Sequence, residues 1–300
     1  MLAVTILGNN SAVPAHGRHP TAQVVQTWDH KFLVDCGEGT QMQMAKYKIK
    51  HAKINHIFIS HLHGDHYFGL IGLLTTMGLN NRKNDLTIHS PRNLEEIIEL
   101  QFKFAGVNLP YNLHFNILES ERVIFEDKKI TVECFKVKHR IECWGFLFSE
   151  KKNLRRIDPQ KVSKYNIPSS FYERLHEGYD YISSSNEVIK NALLTSPGPE
   201  AKSYAFSADT GYFEPIVEKI QGVDLLYHEA TYLHDFEEKA MDRFHSTTKQ
   251  AALIAKMAGA KKLLLGHFSS KYEDLSLFEC EACEVFENTE CALEGTCYIA

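Results

Sequence analysis

The sequence predicts an α/β protein, and three observations carry the prediction. Short apolar, β-branched runs alternate with stretches of helical periodicity in both halves of the chain. Several of those runs finish on a histidine or an aspartate, at the end of the strand where α/β sheets place their sites. Between residues 151 and 199 the alternation gives way to a polar segment punctuated by Pro159, Pro168, Pro197 and Pro199, which reads as an insertion.

Taken in order, residues 1–8 (MLAVTILG) form a strand stopped by Gly8-Asn9-Asn10. Residues 22–35 read as a hairpin turning near Asp29-His30, and GTQMQMAKYKI has helical character. NHIFIS is a buried-type strand, followed by YFGLIGLLTTMGL as a helix. DLTIHS is a strand, NLEEIIELQFKFAG a helix, and residues 122–140 two strands joined by a turn at Asp127-Lys128. The second half repeats the theme: SYAFSAD, VDLLYHEA and KKLLLGHF as strands, EPIVEKIQ and STTKQAALIAKMAGA as helices.

Composition sets the class. A hydrophobic content of 44% with 24% charged residues is that of an ordinary globular protein, and 300 residues suffice for a buried core. The net charge of -5 excludes a global basic field, so any polyanion partner must be met locally. No basic-then-apolar leader and no bilayer-length apolar run is present, so a cytoplasmic protein without membrane attachment is expected. Seven cysteines, odd in number and irregularly spaced, suit reduced thiols. Cys280 and Cys283 lie in an amphipathic stretch with no second pair at Cys291 and Cys297, which argues against a zinc knuckle.

The densest chemistry is ISHLHGDHYFGL. In extended chain His61 and His63 point the same way and can reach one point, while Asp65 and His66 reach another, with Gly64 easing a sharp turn. Imidazoles with a carboxylate suit zinc or a similar ion, but four ligands in six residues leave one side of two metals open. Strand ends supply the rest: His139 after ITVECFKVK, Asp209 after SYAFSA and His267 after KKLLLG.

Together these residues resemble the metallo-β-lactamase superfamily, whose HxHxDH motif is met by His61, His63, Asp65 and His66. More closely the chain is similar to the short-form tRNA 3′-processing endonuclease family, tRNase Z. LGNNSAVP, VDCGEGTQ, SHLHGDH, VKHR, FSADTGY, YHEATY, HSTTKQAA and LLLGHFSSKY occur in the family's order over almost the whole chain. The resemblance implies one αββα four-layer sandwich spanning residues 1–300, with residues 151–199 as a protruding arm that grips tRNA. It implies two zinc ions per subunit, one on His61, His63 and His139, the other on Asp65, His66 and His267, with Asp209 bridging them. Asp35 is implied as a hydrogen-bonding support for the ligands, Asp65 as orienting the attacking hydroxide, and Glu229 with His245 as the proton source for the leaving 3′-oxygen.

The expected partner is precursor tRNA and the expected assembly a homodimer. Lys151, Lys152, Arg155, Arg156, Lys161 and Lys164 give the arm six cations against the single acid Asp158 within 151–164, a local answer to the acidic net charge. A second basic run, Lys46, Lys48, Lys50 and Lys53, could line the approach to the site. The arm departs from the family pattern in following Asn166-Ile167-Pro168 with Ser169-Ser170, where many members carry a Gly-Pro step. The alternatives are a hydrolase of the same fold acting on a small phosphodiester or a sulfate ester, and an RNA-binding protein without catalysis.

Overall fold

The computed structural model describes all residues from Met1 to Ala300. It divides into two compact units, one of residues 1–126, 131–149 and 202–300, the other of residues 127–130 and 150–201.

The larger unit is built on two seven-stranded sheets. In the first, Lys31–Val34, Ile54–Phe58, Leu86–Ser90 and Leu113–Ile117 run parallel, with Ala22–Gln26, Ala3–Gly8 and Cys297–Ile299 antiparallel along one side. In the second, Ser203–Phe206, Leu225–Glu229, Lys262–Gly266 and Thr289–Cys291 run parallel, and Trp144–Glu150 adds antiparallel to Ser203–Phe206.

The period-two alternation of each strand fixes which layer its side chains enter. Phe32 and Phe58 point between the sheets and meet Phe146 and Phe148 of the facing sheet, with ring centroids 5.4–5.6 Å apart. Their neighbours Leu33 and Ile57 point outward, under the helices Thr40–Lys46, Leu70–Leu79 and Leu94–Ala105. On the second sheet Phe206 and Tyr227 stack inside, while Ala205, Leu226, Leu263 and Leu265 pack outward against Thr248–Met257 and Ser276–Cys283. The result is helix, sheet, sheet, helix, the expected αββα arrangement.

Most predicted elements are present, some shortened. EPIVEKIQ yields a single turn, Ile216–Lys219, and the predicted strand through His139 ends at Lys136, leaving His139 in the loop behind it. Three elements carry no clear period in sequence: the strand Trp144–Glu150, the helix Glu237–Arg243 and the closing strand Cys297–Ile299.

The smaller unit has structure of its own. Val162, Ile167, Leu175, Ile189 and Leu194 form a small buried core among three short helices and two two-stranded ribbons. Asn191 ties it together, its buried amide donating to the Leu175 and Tyr179 carbonyls. Asp158 caps the helix Pro159–Lys164, accepting from the backbone N–H groups of Gln160 and Lys161.

Candidate active site

The site lies at the carboxyl ends of the parallel strands. Asp35 follows Lys31–Val34, and His61 stands three residues after Ile54–Phe58. Asp209 follows Ser203–Phe206, Glu229 closes Leu225–Glu229, and His267 follows Lys262–Gly266. Four residues here adopt left-handed backbone although none is glycine: Asp35 (φ 55°), Ala208 (φ 55°), Phe244 (φ 59°) and His267 (φ 60°). Such conformations cost on the order of 1 kcal/mol or more each and persist where the surroundings over-determine them.

Two four-residue donor clusters result, and a third group, Glu229, His245 and His267, adjoins them through His267. His61, His63, His139 and Asp209 bring their ligand atoms within 4.8 Å of one another, and so do Asp65, His66, Asp209 and His267. His63 Nδ1 lies 3.0 Å from His61 Nε2 and 3.1 Å from His139 Nε2. In the second cluster His267 Nε2 lies 3.4 Å from Asp65 Oδ2 and 3.2 Å from Asp209 Oδ1, and His66 Nε2 lies 3.4 Å from the same Asp209 oxygen. Asp209 Oδ2 faces His61 instead, at 3.8 Å, so its two oxygens serve different clusters. A short helix, Gly64–Tyr67, starts directly after His61 and His63 and carries the second pair, Asp65 and His66. Gly64 itself has no left-handed backbone; a Cβ there would strike the Phe68 ring, so close packing rather than turn geometry demands the glycine.

The donor set fits divalent cations. His66 Nε2 is buried, makes no hydrogen bond and faces two carboxylates. His61 and His63 are driven towards the neutral, ligating form chiefly by burial, His63 down to about 4. Their outer nitrogens are held: His66 Nδ1 by Asp35 at 2.7 Å, His61 Nδ1 by Ser60 Oγ at 3.0 Å, His139 Nδ1 by the Phe244 carbonyl at 3.0 Å and His267 Nδ1 by Thr231 Oγ1 at 2.9 Å. Asp35 is fully buried and accepts from the Ser60 N–H and hydroxyl as well.

Beside the clusters, His245 Nδ1 donates to Glu229 Oε1 across 2.8 Å, and the His245 ring centroid is 5.3 Å from that of His267. Glu229 is fully buried and also accepts from the Thr210 N–H, the Thr231 N–H and the Thr231 hydroxyl. Burial opposes protonation of His245, but the Glu229 charge and hydrogen bond outweigh it and raise the imidazole to about 9. Thr231 thus links two functions, donating to Glu229 while accepting from His267 Nδ1. It lies inside the YHEATY stretch, which was the only signal for it in sequence. The Phe244 carbonyl left no signal, since a main-chain acceptor is indifferent to residue type.

Of the predicted arm cations, Lys152, Arg156, Lys161 and Lys164 are exposed, the first, second and fourth without an acidic partner. Arg155 is half-buried and spent on Thr195, Lys161 pairs with Asp158 at 3.5 Å, and Lys151 is half-buried. Arg174, exposed on the helix Tyr172–Glu177 and lying over the Phe171 and Tyr179 rings, is a further arm cation outside the predicted run. All seven cysteines are free thiols, Cys280 exposed and Cys283 half-buried, and no donor cluster includes either.

Two family models match the chain, Anti-Pycsar protein Apyc1 over residues 2–159 and Beta-lactamase superfamily domain over residues 193–268. The first ends before Asp209, Glu229, His245 and His267, so it bears only on the first half of the site. Relatives align over nearly the whole chain: Ribonuclease Z of Bacteroides fragilis is 44% identical over 97% of each chain, and Ribonuclease Z of Porphyromonas gingivalis 41% over 97% of each. Among solved structures, human tRNase Z, short form, superposes with a TM-score of 0.71 at 26% identity, covering 99% of this chain and 98% of its own.

Proposed function

Because this chain belongs to the ribonuclease Z family within the β-lactamase superfamily, we propose that it is an endoribonuclease that removes the 3′ trailer from precursor tRNA and leaves a 3′-hydroxyl. The observation that carries this reading is the Glu229–His245 pair standing beside two donor clusters that share Asp209. A hydrolase of the fold needs the clusters; an acid poised near neutral pH for a poor alkoxide leaving group is the added part.

The assignment is two zinc ions, one on His61, His63 and His139, one on Asp65, His66 and His267, with Asp209 shared. Bound there, the ions supply Lewis acidity at the phosphoryl oxygens and lower the pKa of water towards neutrality. The chain's own residues do the rest. Asp65 orients the attacking water and can take its proton. Asp35 fixes the His66 ring through Nδ1, leaving Nε2 to face inward. Glu229 occupies Nδ1 of His245, so the transferable proton sits on Nε2 and passes to the leaving 3′-oxygen. The Thr231 hydroxyl keeps Glu229 and His267 in fixed relation.

The arm, residues 151–199, is assigned to gripping tRNA, and its exposed Lys152, Arg156 and Lys164 support that role. The protein works in the cytoplasm, in keeping with its seven free thiols; no helix is long and apolar enough to cross a membrane. It acts as a homodimer, a reading in keeping with the exposed apolar side chains Phe68 (63%), Leu100 (51%) and Phe104 (81%), which a second copy would cover. Sedimentation giving a monomer across the micromolar range would remove that assignment.

The deciding test uses metal-analysed protein and end-labelled precursor tRNA, with a chelator control. Cleavage at the trailer junction that chelation stops and zinc restores is expected. Turnover of small phosphodiesters with the precursor left intact would move the function to a small-molecule hydrolase.

A further inference from the structure

Next to His245 the surface opens into a cavity of about 410 Å³ to which no role above is assigned. Tyr212, Met241 and Phe244 give it aromatic and thioether faces, Glu237, Glu238 and Gln250 add polar ones, and Lys138 lines it with an exposed side chain. The cavity is fastened to the chemistry on both sides. Phe244 sits in left-handed backbone, its carbonyl accepts from His139 Nδ1, and the next residue is His245 itself. The Lys138 N–H is bound by the Thr210 hydroxyl, one residue beyond Asp209. Met241, by contrast, is 67% exposed on the helix Glu237–Arg243, an apolar side chain beside the centre with nothing over it.

We propose that this cavity is a nucleobase subsite, holding the base of the nucleotide whose 3′-oxygen leaves. The proposal rests on the endoribonuclease reading and adds the position of one nucleotide to it. His245 must reach the leaving oxygen within hydrogen-bonding distance, so the ribose bearing that oxygen lies against the His245 ring. From there the adjoining cavity is the sheltered volume for its base, while the trailer, which keeps the phosphate, departs from the donor clusters on the other side of the broken bond. The lining suits the occupant. Aromatic and thioether faces accept the π-face of any base without reading its edges, as an enzyme serving many precursors requires. Lys138 is placed to meet the phosphate on the 5′ side of the same nucleotide. Gln250 is already spent on the Thr247 N–H and on Glu237, so the Glu237 and Glu238 carboxylates are the polar groups open to a base edge, and stacking is the part of the binding that does not depend on which base is present.

The test compares two precursor tRNAs, one normal and one with an abasic ribose at the nucleotide before the cleaved bond. Unmodified protein is expected to cleave the abasic precursor about tenfold less efficiently in kcat/KM, the scale of losing one stacked base. Met241→Ala is expected to slow the normal precursor and to shrink the ratio between the two, while Met241→Leu restores it. A merely structural defect would lower both substrates alike. Equal cleavage of the two precursors by the unmodified protein, or an undiminished ratio in Met241→Ala, overturns the subsite and leaves the endoribonuclease reading standing. Failure of the unmodified protein to cut either precursor removes both.

Discussion

The donor clusters and the arm differ in how tightly each side chain is held. In the clusters, His61, His66, His139 and His267 each have one ring nitrogen fixed by a named partner, and four left-handed residues are tolerated to keep that arrangement. In the arm, a core of five buried apolar residues carries a surface on which Lys152, Arg156 and Lys164 stand exposed. Chemistry needs atoms held to fractions of an ångström, whereas gripping a phosphate backbone needs mainly charge at roughly the right place. The contrast separates turnover from affinity, and each can be perturbed alone.

The largest effect is expected at Asp209, which serves both clusters. Asp209→Ala should lower kcat by at least about a thousandfold, and elemental analysis should find less metal than in the unmodified protein, for which the proposed assignment is two ions per chain. Retention of two ions with normal turnover would show that the clusters do not share this carboxylate. Next comes Glu229→Gln, expected to cost about a hundredfold in kcat. It should also move the pH profile. On the proposed reading His245 works protonated, and with its carboxylate partner raising it to about 9, activity should be lost as pH rises through that value. With the charge removed the imidazole falls towards its ordinary value, and the alkaline limb should shift to lower pH. An unmoved limb would exclude His245 as the acid.

A third comparison lies inside the centre. Burial opposes a proton on His66, but Asp209, Asp65 and Asp35 together hold it well above the ordinary histidine value, while burial chiefly keeps His61 and His63 neutral. Filling the Asp65–His66–Asp209–His267 cluster must therefore displace about one proton that the other cluster does not carry. Below the raised pKa, zinc affinity for that cluster should fall about tenfold for each unit of pH lost, the other changing less. Calorimetry in buffers of different ionisation enthalpy reads the proton count directly. Equal release from the two clusters would mean that the three carboxylates do not act together on His66.

The same contrast explains what could be read in advance. Ligand chemistry announces itself: His61, His63, Asp65 and His66 crowd one strand end, Asp209 follows the short run SYAFSA with its two aromatics, and His267 follows a leucine-rich run. Their supports were less legible. Asp35 and Thr231 lie in recognisable stretches, but the Phe244 carbonyl acts through the main chain, which every residue possesses. Trp144–Glu150 lacks the polar alternation of a half-buried strand because Phe146 and Phe148 face the opposite sheet while Leu147 faces the helices, so both faces are covered. The arm was least legible. Its five core positions are scattered over some thirty residues of polar sequence, and its cations could be counted but not sorted into free and committed ones.

Sorting them yields the mildest prediction and the sharpest use of the comparison. Lys152→Ala, Arg156→Ala and Lys164→Ala should each raise KM for precursor tRNA a few-fold with kcat unchanged, if the arm contributes binding alone as proposed. Each phosphate contact removed should flatten the dependence of log affinity on log salt by about 0.7–0.9. Lys161→Ala should do less, since that ammonium already answers Asp158, and Arg155→Ala should loosen the arm itself through Thr195. If all five substitutions flattened the salt dependence equally, the committed cations would be contacting RNA too, and the division between exposed and occupied charges would have no bearing on how the substrate is gripped. If instead kcat fell with KM unchanged, the arm would be acting on the chemical step, and turnover and affinity would not be housed in separate regions.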